Sequence, residues 1–322
     1  GPEEVIAGAL KWCHETGHGI ILVGDIQAVK EQLSKSEFDA RLVEIAAATE
    51  VIGMHESPAI ALRKKKDASI VIASGLVKAG KADAVLSCGS TGAQMAAAIF
   101  ILGRMEGVER PPIIARFPSA KGQHTLIADV GANVDCRPKQ LQQFAILGKT
   151  YASIISGNKD PRIALLSNGE EEGKGNAVTT ETYDLLKTTE NINFIGNIEG
   201  RDLLLGKSDV VICDGFVGNI VLKLSEGLGT ALFSLLKKEF EKDLRGKLGA
   251  ALLMPGLKNI KKLMDYAEVG GAPLLGVKGV SIICHGSSKA RAIQNAVRVA
   301  RECVAGRFIE QVEESIHGEG GE

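Results

Sequence analysis

The sequence predicts an α/β protein: a mostly parallel sheet covered by helices on both faces. Three observations point to it. Short apolar runs of strand length alternate with helical stretches along most of the 322 residues. That alternation is the pattern of a parallel sheet whose two faces are both covered. The residues that follow the runs are repeatedly Gly, Ser, Asn and Asp, and in such sheets ligands bind beyond the carboxyl ends of the strands. Glycine, at 38 of 322 residues, is enriched over an average share of about 7%.

Taken in order, Ile20 to Asp25 reads as a buried strand ending in a turn, and Ile26 to Leu33 as the helix after it. Ser69 to Ala79 has helical periodicity. Ala84 to Ser87 is a strand running into Cys88-Gly89-Ser90-Thr91-Gly92, with a helix from Ala93 to Leu102. Leu126 to Val130 is the next strand, followed by Gly131-Ala132-Asn133. Arg162 to Leu166 and Val210 to Cys213 repeat the pattern. Val280 to Cys284 is the last clear strand, leading through His285-Gly286-Ser287-Ser288 to a helix over Lys289 to Ala305. Length alone does not choose between one domain and two. The alternation, which holds for most of the length, is read as a single α/β domain over 1–322.

One segment departs from the alternation. Residues 228–266, from Leu228 to Tyr266, read as a helical excursion with a break at Pro255-Gly256. Between Lys237 and Lys262 there are eight basic and three acidic residues, flanking an apolar tip at Leu248 to Leu257 that holds Leu252, Leu253 and Met254. A membrane-surface element and a helical hairpin buried between subunits both fit, and the two are compatible.

Composition excludes several classes. The net charge of −1 provides no global field for a nucleic acid, and aromatics at 4% supply no stacking platforms for single strands. The six cysteines are scattered with no CxxC pair, so free thiols in a reducing cytosol are expected, and no metal or cofactor. No apolar run reaches the roughly 18 residues of a membrane-spanning helix, and no signal peptide opens the chain.

The candidate site residues sit in the strand-end loops. Around Ser90, Thr91 and Gly92, small residues let backbone N–H groups approach an anion, although the same glycines suit a plain tight turn. Neither GxGxxG nor a P-loop lysine is present. Asp129 and Asn133 lie in one loop with Asp135, suited to a metal, to orienting a base, or to capping a helix. Lys174, between two glycines, fits either an anion contact or a solvated lysine of a mobile loop. Asp214 and Gly215 precede Asn219, a candidate oxyanion donor and equally a helix N-cap. His285 and Ser287 offer a strand-end acid/base, or a histidine bonded to its own loop. A GxSxG elbow is absent, so direct attack by a bound nucleophile is simpler than an acyl-enzyme.

These motifs occur together in one order: Glu56-Ser57-Pro58, Arg63-Lys64-Lys65-Lys66, the 87–93 run SCGSTGA, the 129–136 run DVGANVDC, the 172–176 run EGKGN, the 213–219 run CDGFVGN and the 285–288 run HGSS. In that combination the chain resembles, over essentially its whole length, the PlsX family of bacterial phosphate acyltransferases of phospholipid synthesis. The resemblance implies an enzyme that moves a long-chain fatty acyl group from acyl carrier protein to inorganic phosphate. Its acyl-phosphate product would feed a glycerol-3-phosphate acyltransferase.

It also implies a fold similar to phosphotransacetylase and the isocitrate dehydrogenase-like group, a homodimer, and a cytoplasmic enzyme held peripherally at the membrane. That contact would run through the helical excursion, at Leu252, Leu253, Met254 and Leu257. Lys174, Asn219 and His285 are then expected to be catalytic. Ser90, Thr91, Gly92, Asp129, Asn133, Asp214, Gly215 and Ser287 are expected to bind phosphate and substrate. Arg63 to Lys66 and Lys258 to Lys262 are expected to dock the acidic carrier protein.

Members of that family begin with a strand ending in a DAMGGD-like loop. Gly1-Pro2 matches the segment after it, so that strand is expected to be missing here. Ser90 stands where many relatives carry Asn. Two alternatives stand beside the resemblance: a phosphate acetyl- or butyryltransferase acting on short acyl-CoA, and a catalytically inactive membrane-surface adaptor.

Overall fold

A computed structural model describes residues 2–122, 124–264 and 270–317. The elements follow as α1 (Pro2–Thr16), β1 (Ile20–Gly24), α2 (Ile26–Leu33), β2 (Val43–Ala47), α3 (Pro58–Lys64), α4 (Ser69–Lys78) and β3 (Ala84–Ser87). Then come α5 (Thr91–Ala97), which runs on as a π-turn to Leu102, β4 (Ile114–Pro118), β5 (His124–Ala128), α6 (Pro138–Ser156), β6 (Arg162–Leu166), α7 (Ala177–Thr188) and β7 (Asn193–Ile198). A 3-10 turn at Gly200–Leu205 leads to β8 (Val210–Ile212), α8 (Gly215–Glu241), α9 (Leu244–Met264), β9 (Ala272–Leu274), β10 (Val280–Ile283), α10 (Ala290–Ala305) and α11 (Phe308–His317).

The α/β class is as the sequence predicts, but the ladder is divided. Among the described residues, five strands pair in the order β4-β5-β8-β6-β7, three in the order β3-β10-β9, and β1 with β2. All neighbours are parallel except β4 with β5 and β9 with β10. The two larger sheets meet at an antiparallel bridge between Ile113 and Leu274. Counting reversals across β9, β4 and β5, the strands β5, β8 and β6 run opposite to β3 and β10.

Period-two alternation sorts the central strands between two cores. Leu126, Ala128, Ile163, Leu165, Val210 and Ile212 face one cluster, with Phe144, Leu147 and Tyr151 of α6 and Ile293 and Val299 of α10. Ile127, Ala164 and Val211 face the other, with Val85, Leu102 and Ile283. That explains why these strands read as unbroken apolar runs: both faces are covered. Helix α6 opens on Pro138 in its first turn and stops at Gly157, whose φ of 71° suits a residue without Cβ.

The ends of β6 and β8 are tied by charge as well as packing. Arg162 donates to Asp209 from its backbone N–H (2.8 Å), Nε (3.1 Å) and Nη2 (2.9 Å). Burial alone would raise the Asp209 carboxyl, and the guanidinium and N–H of Arg162 more than offset it, so the group titrates below its ordinary 3.8. A carboxylate with a lowered folded pKa contributes stability in full above its unfolded pKa and loses it as pH falls through the folded one. Asp209→Asn is therefore expected to cost about 1–2 kcal/mol at neutral pH. In paired denaturant titrations the difference from wild type should shrink below pH 3.8. A difference that stays constant with pH would overturn the assignment.

The helical excursion differs from its sequence expectation in three respects. It begins earlier, because α8 already starts at Gly215. The chain bends at Lys242-Asp243 between α8 and α9, while Pro255 lies inside α9 and does not end it. Leu252, Leu253 and Met254 consequently sit in the middle of α9 rather than at a tip. Tyr266 lies outside the described residues. Finally, α8 is long and apolar enough, by length and composition, to cross a membrane, which corrects the expectation of no such run. Its first turn is nevertheless packed into the strand-end loops through the buried Gly215 and Gly218.

Both helices carry rows of exposed apolar side chains at helical spacing. On α8 these are Phe216, Ile220, Leu224, Leu228, Leu232 and Leu235; on α9, Leu244, Leu248 and Leu252. Leu253 and Met254 are exposed as well, and Leu257 is half-buried.

Candidate active site

The strand-end loops gather into two clusters. The first joins β3 to β10. These strands are parallel neighbours, and Cys284 N–H donates to the Ser87 carbonyl (2.9 Å), so the loops 88–92 and 284–288 lie side by side. Ser90 caps α5, its Oγ accepting from Ala93 N–H (3.3 Å), while Thr91 is exposed and Gly92 half-buried. A Cβ on Gly92 would come within 2.8 Å of Pro58 Cγ, so glycine there is what lets α3 pack onto this loop. His285 is exposed, with Nδ1 2.6 Å from Ser287 Oγ and 3.3 Å from the Ser287 N–H that donates to it.

Beneath these loops the Cys88 and Cys284 thiols are in contact. That contact holds Cys88 below the ordinary thiol range, while the same contact and burial push Cys284 up. The buried Gln94, 2% exposed, fixes α5 to β10 by donating to the Ser281 Oγ (3.1 Å) and the Ile282 carbonyl (2.8 Å). Nothing in the sequence signals the role of Gln94: a lone amide in a small-residue helix has no periodicity to mark it.

The second cluster joins β5 to β8 around Asp129. Its carboxylate is fully buried and accepts from the N–H groups of Ile113 (2.9 Å), Ala132 (3.1 Å) and Asn133 (2.6 Å) and from Asn133 Nδ2 (2.9 Å). Burial raises its pKa, and those donors oppose the rise. Asn133, 6% exposed, also donates from Nδ2 to the Pro111 carbonyl (2.9 Å), and its own carbonyl accepts from Gly215 N–H (2.7 Å).

Asp129 is therefore saturated from within and Asn133 spends its Nδ2 on Asp129 and Pro111, so both order this loop. Asp214 is the N-cap of α8, accepting from Val217 N–H (2.8 Å). That leaves Asn219 in the helix's second turn instead of at its cap. It is exposed, and its side chain lies against Gly131, 3.6 Å from where a Cβ would stand.

Lys174 stands apart, in the loop between β6 and α7. Its side chain is exposed, folds across Gly169, and makes no hydrogen bond or ion pair among the described residues. Asn176 serves as N-cap of α7, accepting from Thr179 N–H (2.9 Å).

No hydrogen bond or ion pair among the described residues links the first cluster to the second. Asp129 is level with Ile113, which is level with Leu274 and Ser281, three residues short of Cys284. Three strand residues span about 10 Å along the sheet. The two clusters share one hydrophobic layer, in which Val85 and Ile283 of the first pack with Val130 and Cys213 of the second.

Of the basic run beside the first cluster, Lys65 is already engaged. Its Nζ donates to Glu56 (2.6 Å) and to the Val51 carbonyl (2.6 Å). Arg63, Lys64 and Lys66 remain exposed.

A family model described as "Fatty acid synthesis protein" matches residues 1–311. The chain is 56% identical over 310 residues to a phosphate acyltransferase of Syntrophomonas wolfei, covering 96% of this chain and 92% of that one. To its namesake in Pelotomaculum thermopropionicum it is 53% identical over 315 residues, covering 98% and 91%. Among solved structures, a phosphotransacetylase from Streptococcus pyogenes superposes with a TM-score of 0.66 at 19% identity, covering 96% of this chain and 91% of that one. A 4-hydroxythreonine-4-phosphate dehydrogenase from Klebsiella pneumoniae does so at 0.54 and 12%, covering 94% and 95%. At such identities these two show a shared α/β fold and no more. The match along nearly the whole chain is decisive for the family: this protein belongs to the fatty acid synthesis protein family, with relatives that bear the name phosphate acyltransferase.

Proposed function

We propose that the protein transfers a long-chain fatty acyl group from acyl carrier protein to inorganic phosphate, giving acyl-phosphate for phospholipid synthesis. The observation that carries this reading is identity above one half, over nearly the full chain, with proteins named phosphate acyltransferase. A phosphate oxygen attacks the thioester carbonyl carbon, and the carbon–sulfur bond breaks as the tetrahedral intermediate collapses. The proton shed by hydrogen phosphate goes to the departing thiolate, and His285, paired with Ser287, is the group proposed to carry it. Backbone N–H groups at Ser90, Thr91 and Gly92, with Lys174 and Asn219, are proposed to hold the phosphate and the developing oxyanion. Alignment of the two reactants and stabilisation of that charge supply most of the rate. Asp129, Asn133, Asp214 and Gly215 act through the loops they order.

Arg63, Lys64 and Lys66, beside the first cluster, are proposed to receive the acidic carrier protein, with charge raising the rate of encounter. The product is proposed to pass to a glycerol-3-phosphate acyltransferase at the cytoplasmic face of the membrane. On the hairpin, the apolar row of α8 suits a second copy of the chain, and Leu252, Leu253, Met254 and Leu257 of α9 suit the lipid surface. Each leucine moved from water into lipid contributes about 1.5–3 kcal/mol, so Leu252→Glu and Leu253→Glu are each expected to weaken vesicle binding about tenfold or more. Co-sedimentation with anionic vesicles checks this. Unchanged binding together with a change in oligomeric state would assign the two leucines to the subunit interface instead.

The reaction itself is tested by incubating the protein with long-chain acyl carrier protein, or with short acyl-CoA, and labelled phosphate. Acyl-phosphate formed from the carrier protein supports the reading. Product from acyl-CoA alone would redirect it to a short-chain transferase. No product from either would leave a membrane-surface adaptor.

A further inference from the structure

The loop that carries Lys174 is exposed from Glu170 to Ala177 and holds glycines at 169, 173 and 175, a composition that by itself leaves the chain free to wander. It is instead tied down at three consecutive residues, each by a different element. Glu170 accepts from Lys207 Nζ (2.8 Å), which also pairs with Asp202 (2.8 Å). The Glu171 carbonyl accepts from Asn197 Nδ2 (2.9 Å) at the end of β7, and the same carbonyl accepts from Lys174 N–H (3.0 Å). Glu172 accepts from Lys187 Nζ and from Tyr183 Oη (3.2 Å), both on α7.

The anchors are themselves held. Asp202 is 2% exposed and accepts from Glu199 N–H (3.0 Å), so it gives Lys207 a fixed base. Asn197 is 6% exposed, and its Oδ1 has no hydrogen-bond partner among the described residues, a buried acceptor kept at the foot of this loop. Tyr183 packs edge-on against Phe194 of β7, with ring centroids 5.2 Å apart. Exposed ion pairs of this kind add little to global stability, so two of them on one loop, with an amide hydrogen bond between them, are better explained by choosing its conformation than by holding up the fold.

We infer that Lys207, Asn197 and the Tyr183–Lys187 pair are positioning residues that clamp the Glu170-Glu171-Glu172 triplet and thereby hold Lys174 in its working place. The inference rests on the proposed role of Lys174 as a phosphate contact. None of the three anchors touches substrate. They act through the loop, and because Lys174 is bonded to Glu171, one turn links the clamp to the ammonium that does the binding. A displacement of about 1 Å at a positioning group costs as much as a hundredfold in rate.

The test uses Lys207→Met, Lys207→Arg, Glu172→Gln and Lys174→Ala, with Lys207→Met and Glu172→Gln also combined with Lys174→Ala. Acyl-phosphate formation is measured against phosphate concentration, and melting temperature is recorded alongside. Glu172→Gln is expected to lower kcat/KM for phosphate by about tenfold to a hundredfold with melting unchanged, and Lys207→Met to lower it as much with an earlier melt, because the buried Asp202 loses its partner. Lys207→Arg, which can still bridge both carboxylates, should restore most of it. In the Lys174→Ala background the same changes should cost nothing further, because groups acting through one residue are non-additive. Wild-type kinetics in Lys207→Met and Glu172→Gln, beside an impaired Lys174→Ala, would overturn the clamp alone. Equal losses with and without Lys174 would also overturn it, leaving a structural role. Wild-type kinetics in Lys174→Ala would overturn the Lys174 reading and the clamp with it.

Discussion

Lys174→Ala is expected to lower acyl-phosphate formation by about 10²–10³-fold, the usual cost of removing one donor from a preorganised oxyanion or phosphate site. Its melting temperature should match wild type. Both expectations follow from one feature: the side chain is exposed, lies over Gly169, and has no partner among the described residues, so its removal breaks no packing and no ion pair. An ammonium kept unpaired beside three glutamates, two of them occupied by Lys207 and Lys187, is available to an anion from solution. Lys174→Arg keeps the charge but changes the geometry, and should recover only part of the rate. Steady-state kinetics with varied phosphate, paired with a thermal melt, measures both. A variant as fast as wild type would remove Lys174 from the mechanism. A slow variant that also melts early would make its role structural.

The largest effect on stability is expected at Gly218, on the first turns of α8. A Cβ there would stand 1.9 Å from the Asp129 carbonyl oxygen and 3.0 Å from Cys213 Sγ. Asp129 cannot yield, since its carboxylate is held by four donors and its loop by the sheet. Nor can α8 lift away, because a Cβ on Gly215 would itself meet Asp129 Oδ2 at 2.7 Å, so the helix is already in close contact there. Overpacking against backbone has no rotamer to relieve it, and Gly218→Ala is expected to cost about 3 kcal/mol or more.

Activity should fall with it, as the helix that carries Asn219 would tilt off the Asp129 loop. Gly227 in the same helix is the matched control: nothing lies within 4 Å of the point where its methyl group would stand, so Gly227→Ala should be neutral or gain about 0.5–1 kcal/mol. Denaturant unfolding of the two variants side by side decides the matter. Equal stabilities would mean that the close approach of α8 to Asp129 does not constrain the fold.

How much of the fold is legible in the sequence differs from element to element. Leu126 to Ala128, Ile163 to Leu165 and Val210 to Ile212 are readable because a strand covered on both faces is apolar at every position. Strand β7, with Asn193, Gly196 and Asn197 in its six residues, has no such signature, since it lies at the edge of its sheet. Strand β9 is three residues long and contains Pro273, and no local pattern distinguishes it from a turn. The sequence misdivides helix α9 at Pro255 because local propensity treats proline as a breaker, whereas the helix runs through it.

For the candidate site, residue order is enough to say which side chains are available and that they cluster after strands, because backbone chemistry demands Gly, Ser, Asn and Asp where a chain leaves a sheet for a ligand-facing turn. It is also enough to reach the family, since the ordered combination of seven short motifs is far more specific than any one of them. Which of those residues are spent inside is settled by the folded chain. Asp129 and Asn133 look like ligands in the sequence, yet four donors converge on one carboxylate and leave it nothing to offer. Lys65, in a run of four basic residues, is taken by Glu56 and Val51, while its neighbours stay open. Only folding sets Lys207, Asn197 and Lys187 around one loop, from positions up to 37 residues away. One cause is common to all three cases. Residue type and local spacing fix what a side chain can donate or accept, but whether that capacity is already satisfied depends on partners brought close by the fold.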